Sequence, residues 1–323
     1  SNLNTQPDLR NTFHGWRIVL VSAIILALAI SPIFQGLGVF FVALRSQFSW
    51  SQAAVSGAFS LARAEDSVLG PIVGLLTDKF GSRLMVLIGF MILGCGYLLF
   101  ASVQNIGMFY FAFFVLAIGS AFAGFLPIMG ILNNWFIRRR ATAMGISQSG
   151  INLGGTLVVP VLAWGIAVVD WKATCLALAM IMFVAAWPLS RMIHDRPEDV
   201  GQVADGLSSG RIGPETLVSY QRTIARDFTL REALRTKAFW LISLGHALAA
   251  NVFVTMTIYT IAMVMEKGIP INQATGVVMI FSITAGLAQF SGGILGDRLP
   301  KRTAISGLIL LQSLGVLVAV FSQ

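Results

Sequence analysis

Apolar residues occur along this chain in long stretches that short polar segments separate. Nine stretches are long enough to cross a membrane, at residues 17–42, 54–76, 84–103, 107–133, 141–168, 172–192, 239–265, 272–295 and 303–321. About 20 apolar residues in a helix cross a hydrocarbon layer of about 30 Å. Because backbone groups in lipid must bond within their own segment, each stretch predicts a helix. The pattern predicts an all-α, polytopic membrane helix bundle.

Composition and charge agree with an integral membrane protein. Of 323 residues, 56% are hydrophobic and 11% are charged, whereas roughly a quarter are charged in a soluble domain. The net charge of +8 does not indicate nucleic acid, because all but four of the 22 Lys and Arg residues fall in loops on one side of the membrane. The exceptions are Arg45, Lys172, Lys267 and the intramembrane Arg63. The positive-inside rule then predicts a cytoplasmic amino terminus in a plasma (inner) membrane.

The polar segment between the sixth and seventh stretches divides the chain. Residues 193–238 contain too few apolar residues to fold alone, which predicts a cytoplasmic linker. Thr229 and Glu232 have the spacing of a capping box, which predicts a short surface helix at the end of the linker. We therefore expect a six-helix half over 1–192 and a second part with about three helices over 239–323.

An internal repeat links the loops after the second and eighth stretches. Residues 74–83 are "GLLTDKFGSR" and residues 293–302 are "GILGDRLPKR", aligned without a gap at an offset of 219. Two halves of similar design are implied. If the second half matches the first, it has six spans, and about three helices are missing from this sequence.

The repeated loop resembles the signature of the major facilitator superfamily (MFS). The resemblance implies the MFS fold, with a complete first half and a partial second half. It also implies that Asp297 approaches the backbone of residues 140–142, at the positive end of the fifth span. The residues expected to form this conformational motif are Gly74, Asp78, Lys79, Gly81, Arg83, Gly293, Asp297, Arg298 and Arg302.

Four further segments resemble the monocarboxylate and oxalate/formate transporter branch. They are "HGWRIVL", "FSWSQAAVSGAFSL", "WFIRRRATAMGIS" and "RPEDVG", in the order and spacing of that branch. Proton-coupled members of the branch use a lysine on the first helix and an arginine on the eighth. This chain has Gln35 and Gln289 at those positions. Since neutral amides cannot neutralise a carboxylate, the anion chemistry of the branch does not carry over through these two residues.

The second stretch contains three ionisable residues near its midpoint: Arg63, Glu65 and Asp66. Each costs about 2.5–3.5 kcal/mol to insert, so they are expected to face the bundle interior. Arg63 and Asp66 are three residues apart and can pair. Glu65 is then either a coupling proton site or part of an ionic clasp between packed helices.

Polar residues at helical spacing mark the candidate substrate site. They form stripes on the first, fifth, seventh and eighth stretches, where a cavity would need groups that meet water or substrate. The same side chains could instead hydrogen-bond helices together, at roughly 0.6 kcal/mol each. The substrate-binding candidates are Gln35, Gln148, Asn152, Asn251, Tyr259 and Gln289.

These features favour a secondary carrier for a small organic solute, including organic anions such as carboxylates, with protons as the candidate coupling ion. Because about three helices of the second half are missing, we expect that the 323-residue chain cannot run a transport cycle alone. A membrane-embedded sensor or channel is the alternative. The sequence lacks the metal-ligand, G-x-S-x-G and P-loop motifs, so we expect no enzyme, cofactor, metal site or ATP-driven pump. The predicted partners are the substrate and the lipid bilayer, and no nucleic acid.

Overall fold

The computed structural model describes residues 13–206, 230–266 and 271–321, apart from some side chains within these ranges. The described residues are almost entirely helical and contain no strand. The helices are α1 (Gly15–Phe34), α2 (Leu37–Phe48), α3 (Gln52–Phe80), α4 (Ser82–Ala101), α5 (Ile106–Ala123), α6 (Phe125–Trp135), α7 (Arg140–Val168), α8 (Trp171–Met192), α9 (Leu230–Leu234), α10 (Lys237–Glu266), α11 (Ile271–Arg298) and α12 (Lys301–Phe321). Each of the nine predicted stretches lies on one or two of these helices. The short α9 includes Glu232, whereas Thr229 lies outside the described residues.

Two predicted spans are each interrupted by a break. The first span divides into α1 and α2 at Gln35 and Gly36, whose backbone N–H groups both donate to the Ser31 carbonyl at 2.9 Å. The fourth span divides into α5 and α6 at Gly124, where the backbone leaves the helical region with φ −92° and ψ −134°. Hydrophobicity continues through both breaks, so the apolar pattern predicted the two spans, at Gly15–Arg45 and Ile106–Trp135, but not the breaks within them.

The chain forms two compact units. The first contains the residues up to Gly206 together with Ser282–Asp297, and the second contains the remaining residues. Within the first unit, α7 packs along α1, while α4 packs between α5 and α8. The α4–α5 approach is close, since a Cβ on Gly89 would lie within 3.0 Å of the Ala123 backbone.

Large apolar side chains cover the outside of the first unit. Val184, Trp164 and Leu157 are 69%, 67% and 65% exposed, while Trp135 and Phe90 are completely buried. An apolar surface of this extent is stable in lipid but would aggregate in water. Five helical segments among the described residues are long and apolar enough to cross a membrane: Gly15–Arg45, Ser82–Ala101, Ile106–Trp135, Arg140–Val168 and Trp171–Met192.

Candidate functional site

Helix α7 approaches α1 closely along a face of small residues. A Cβ on Gly150 would lie within 3.0 Å of the Ala23 carbonyl oxygen, and one on Gly154 would meet Ser31 in the same way. The hydroxyl of Ser147 donates to the carbonyl of Val19 at 3.2 Å. Small residues let helix backbones come together in lipid. This approach brings the polar end of α1 against the middle of α7.

The carbonyl oxygen of Ile151 on α7 is the centre of a small polar cluster. It accepts from the Ser31 hydroxyl at 2.9 Å and from Gln35 Nε2 at 3.3 Å. Ser31 is fully buried. The Gln35 Oε1 atom occupies the space that a Cβ on Gly155 would need. The side chain of Gln35 therefore lies flat against α7, and the absence of a side chain at Gly155 makes that position possible.

A second polar contact joins α7 to the part of α11 that belongs to the same unit. Asn152 Nδ2 donates to Gln289 Oε1 at 2.8 Å, and the Ser149 hydroxyl donates to the Gly286 carbonyl at 3.3 Å. A Cβ on Gly145 would lie 2.7 Å from the backbone oxygen of Gln289. Two predicted site residues, Asn152 and Gln289, are thus in direct contact.

Asp297 caps the amino terminus of α7. Its two carboxylate oxygens accept from the backbone N–H groups of Ala141 and Thr142, each at 2.8 Å. These N–H groups have no acceptor within the helix, and the positive end of the helix dipole favours a carboxylate there. Gly293 permits the contact, since a Cβ on it would lie 2.7 Å from the Ala141 oxygen. Asp297 thus lies where the motif predicted it.

The remaining motif residues lie in the last turns of α3 and α11 and at the start of the helix that follows each of them. Gly81 follows α3 with φ 82°, a left-handed conformation that glycine adopts without strain. The other described side chains of the motif are exposed, namely those of Asp78, Lys79, Arg83, Arg298 and Arg302. Gly74 is partly buried and has open space where a Cβ would point. The role of these residues in a conformational cycle stays a prediction.

The other predicted site residues do not join the cluster on α7. Glu65 on α3 is buried, at 8% exposed, and Gln148 is half-buried on α7. Asn251 on α10 is exposed and belongs to the second unit. The side chains of Arg63, Asp66 and Tyr259 lie outside the part of the chain that the structure describes, as does the predicted Arg63–Asp66 pair.

Polar residues after α8 form a set of contacts that the sequence did not predict. Residues 194–206, here called the strap, bond to several helix ends of the first unit. Asp195 Oδ1 accepts from the Ser82 N–H at 2.8 Å, at the start of α4. Asp205 accepts from the N–H groups of Ile137 and Arg138, just before α7. The "RPEDVG" segment within the strap was noted for its resemblance to the transporter branch, which did not indicate these partners.

Metal binding has no support in residues 13–206, 230–266 and 271–321, since no three His, Cys, Asp or Glu side chains there lie close enough to hold an ion. Cys95 is exposed and Cys175 is buried, and both are free thiols. The polar groups collected on α7 are amides, hydroxyls and one carboxylate. Such groups can donate and accept hydrogen bonds.

Comparison with known families decides what kind of bundle this is. The family model described as Major Facilitator Superfamily matches residues 19–323. The chain belongs to this superfamily. The MFS assignment agrees with the repeated loop at the ends of α3 and α11 and with the Asp297 cap on α7.

Among its relatives, bovine monocarboxylate transporter 13 is 25% identical over 312 residues, which is 95% of this chain and 67% of that protein. The hexuronate transporter of Bacillus subtilis (strain 168) is 22% identical over 280 residues, 83% of this chain and 61% of that protein. The chain thus spans about two thirds of the length of these relatives. The resemblance to a monocarboxylate transporter-like member of the MFS is confirmed.

A solved structure supports the fold. The crystal structure of the E. coli fucose:proton symporter matches 91% of this chain and 74% of its own, with a TM-score of 0.56 and 14% sequence identity. Together with the apolar outer surface, this confirms the predicted all-α MFS bundle. The protein is an integral, multi-pass membrane protein of a transporter family.

Proposed function

We propose that the full-length protein is a secondary carrier that moves a small organic solute by alternating access. The observation that carries the proposal is the convergence of amide side chains on one turn of α7, residues 151–155. Gln35, at the break after α1, and Gln289 on α11 both contact this turn, where Asn152 bonds to Gln289. Solute sites in such carriers lie near the bilayer midplane at the interface of two repeats. The halves over 1–192 and 239–323 and the linker over 193–238 are part of this proposal.

The proposed solute class is an organic acid or a hydroxylated relative of one. The names of the relatives support it, since they include monocarboxylate transporters and a hexuronate transporter. An amide both donates and accepts, so Gln35, Asn152 and Gln289 suit hydroxyl groups as well as a carboxylate. Gln148, Asn251 and Tyr259 are proposed as further contacts on the basis of the polar stripes.

The test is transport by the full-length protein in proteoliposomes against a panel of radiolabelled monocarboxylates and hexuronates. We expect saturable uptake of at least one solute, and Gln35→Ala, Asn152→Ala and Gln289→Ala each to raise its KM. Ser291→Ala is the matched control, because the Ser291 hydroxyl is exposed and bonds within α11 to the Leu287 carbonyl. Linear, unsaturable flux would instead favour a channel.

Glu65 is proposed as the proton-coupling residue. Its burial in α3 supports this, because a buried carboxyl can take up and release a proton during a cycle. We expect Glu65→Gln to abolish uptake driven by a pH gradient while solute exchange at equal pH continues. Gradient-driven uptake that survives unchanged would favour the ionic clasp with Arg63 and Asp66 instead.

The proposed location is the plasma membrane, with the amino terminus in the cytoplasm. The distribution of Lys and Arg among the loops supports this orientation. A protease-cleavable tag placed before Ser1 should resist external protease in intact cells and be cleaved after the membrane is opened. Cleavage in intact cells would contradict the orientation.

A further inference from the structure

The strap is tied to four places in the first unit by its own hydrogen bonds. Gln202 Oε1 accepts from the His14 N–H at 3.0 Å, before α1, and Asp195 bonds to Ser82 at the start of α4. At the end of α6, Trp135 Nε1 donates to the His194 carbonyl at 2.8 Å. The fourth place is the turn between α6 and α7. The strap is therefore held in position independently of α11.

Asp205 has a conformation that is uncommon for a residue other than glycine. Its φ of 58° lies in the left-handed region, which aspartate tolerates better than most residues. Such a conformation persists where surrounding contacts fix it. The contacts here are its carboxylate oxygens, which accept from the Ile137 N–H at 3.1 and 3.2 Å and from the Arg138 N–H at 2.8 Å.

Two carboxylates thus hold consecutive parts of one short segment. Asp205 holds the N–H groups of residues 137 and 138, and Asp297 holds those of residues 141 and 142. Arg140, between the two sites, bonds back to the end of α6 through the carbonyls of Phe136 and Asn133, at 3.0 and 3.2 Å. Bonds to the strap and to the end of α6 therefore fix the path of the chain that leads into α7.

We propose that Asp205 is a positioning residue that keeps the first turn of α7 formed and aimed at Asp297. This rests on the proposed function: alternating access requires some contacts between the halves to form and separate, and we take the contact between Asp297 and α7 to be one of them. When Asp297 leaves, the N–H groups of Ala141 and Thr142 lose their acceptor and the helix end would fray. Because Asp205 stays bonded through the strap, the turn remains prepared to receive Asp297 again.

The test is amide hydrogen exchange at single-residue resolution on the full-length protein in lipid nanodiscs. In Asp297→Ala, we expect faster exchange at Ala141 and Thr142 only. In Asp205→Ala, we expect exchange to rise roughly three- to tenfold at residues 137 and 138 and also at residues 141 and 142. Asp205→Asn keeps an acceptor and tolerates the left-handed conformation, so an intermediate increase is expected.

Asp199→Ala is the control, because the Asp199 carboxylate accepts from the Arg196 N–H within its own turn of the strap. It should leave the segment before α7 unchanged. If Asp205→Ala raises exchange at residues 137 and 138 alone, Asp205 is a local tie and the proposal is wrong. If the alanine variant does not fold, a rise in exchange at residues 137 and 138 alone in Asp205→Asn would likewise show that the proposal is wrong.

Transport assays on the same variants separate this proposal from the proposed function. If exchange at residues 141 and 142 depends on Asp205 while neither the Asp205 nor the Asp297 variants change flux, the positioning stands. In that case the role of the Asp297 contact in the cycle is wrong. If flux falls in the Asp297 variant and exchange shows no dependence on Asp205, the role of the Asp297 contact in the cycle stands and the positioning role of Asp205 is wrong.

Discussion

Helix α7 has two polar interfaces of different construction. Toward α1, the polar side chains Ser31 and Ser147 are fully buried and donate to backbone carbonyls. Toward α11, the bonded side chains Asn152, Gln289 and Asp297 are all half-buried. Fully buried polar groups left without a partner cost about 1–3 kcal/mol each, and partly exposed groups lose less when their contact opens. Under the proposed alternating access, we therefore expect α1 and α7 to stay together while the α7–α11 contacts separate.

The largest expected effect comes from adding a side chain to the α1 interface. In Gly150→Ala, the new Cβ would meet the Ala23 carbonyl, a backbone atom that cannot turn aside. We expect a loss of about 2–3 kcal/mol of stability, or failure to fold. The measurement is SDS-induced unfolding of the purified protein.

The control for this prediction is Gly292→Ala on α11, where a new Cβ has nothing within 4 Å. That variant should be neutral or more stable by up to about 1 kcal/mol, because alanine is a better helix former than glycine. Equal stability of the Gly150 and Gly292 variants would remove the contrast between the two interfaces.

The next largest effect is expected at the amino terminus of α7. Asp297→Ala leaves two backbone N–H groups without their carboxylate, which should cost about 1–2 kcal/mol. Asp78→Ala is the matched control, since Asp78 is the exposed aspartate at the equivalent position of the repeat. Its stability should change by no more than about 0.5 kcal/mol. An equally large loss in the Asp78 variant would mean that exposure does not distinguish the two aspartates.

The sequence predicted the spans that contain α1, α7 and α11, but not the difference in burial between the two interfaces of α7. Hydrophobic stretches predicted each span, because every segment that crosses lipid must be apolar and must satisfy its own backbone hydrogen bonds as a helix. The repeat pointed to Asp297, because an aspartate recurs at the same place in both loops, at positions 78 and 297. The MFS resemblance supplied the helix to which it binds.

The breaks and the strap could not be predicted in the same way. The break at Gln35 and Gly36 lies within an apolar stretch, so hydrophobicity gave no signal. The partners of Gln35 and Asp205 are backbone groups, at Ile151 and at residues 137 and 138. Every residue carries such groups, so a sequence pattern does not indicate which one a side chain will meet.

A smaller effect is expected where two amides meet across the α11 interface. A double-mutant cycle between Asn152→Ala and Gln289→Ala should give a coupling of about 0.6 kcal/mol in SDS unfolding. The control cycle pairs Asn152→Ala with Ser291→Ala, for which no coupling is expected because Ser291 bonds within its own helix. A coupling above about 2 kcal/mol would contradict an interface built to separate.

The smallest change in stability is expected for Gly155→Ala, although this substitution should displace the Gln35 side chain from α7 completely. The new Cβ meets only the end of the flexible Gln35 side chain, which can swing away from α7. We therefore expect stability within about 0.5 kcal/mol of the unchanged protein. Gly38→Ala serves as the control, because Gly38 is exposed on α2 and a new Cβ there has nothing within 4 Å.

Transport by the full-length protein decides what the position of Gln35 is for. If Gln35 binds solute from its place on α7, then Gly155→Ala, Gln35→Ala and the double variant should raise KM by the same factor. The factors should be equal because either change alone already removes the contact between Gln35 and the solute, so the double variant loses nothing more. Multiplied effects would show that Gly155 acts separately from Gln35. In that case the glycine serves the packing of α1 on α7, and the two interfaces differ only in burial.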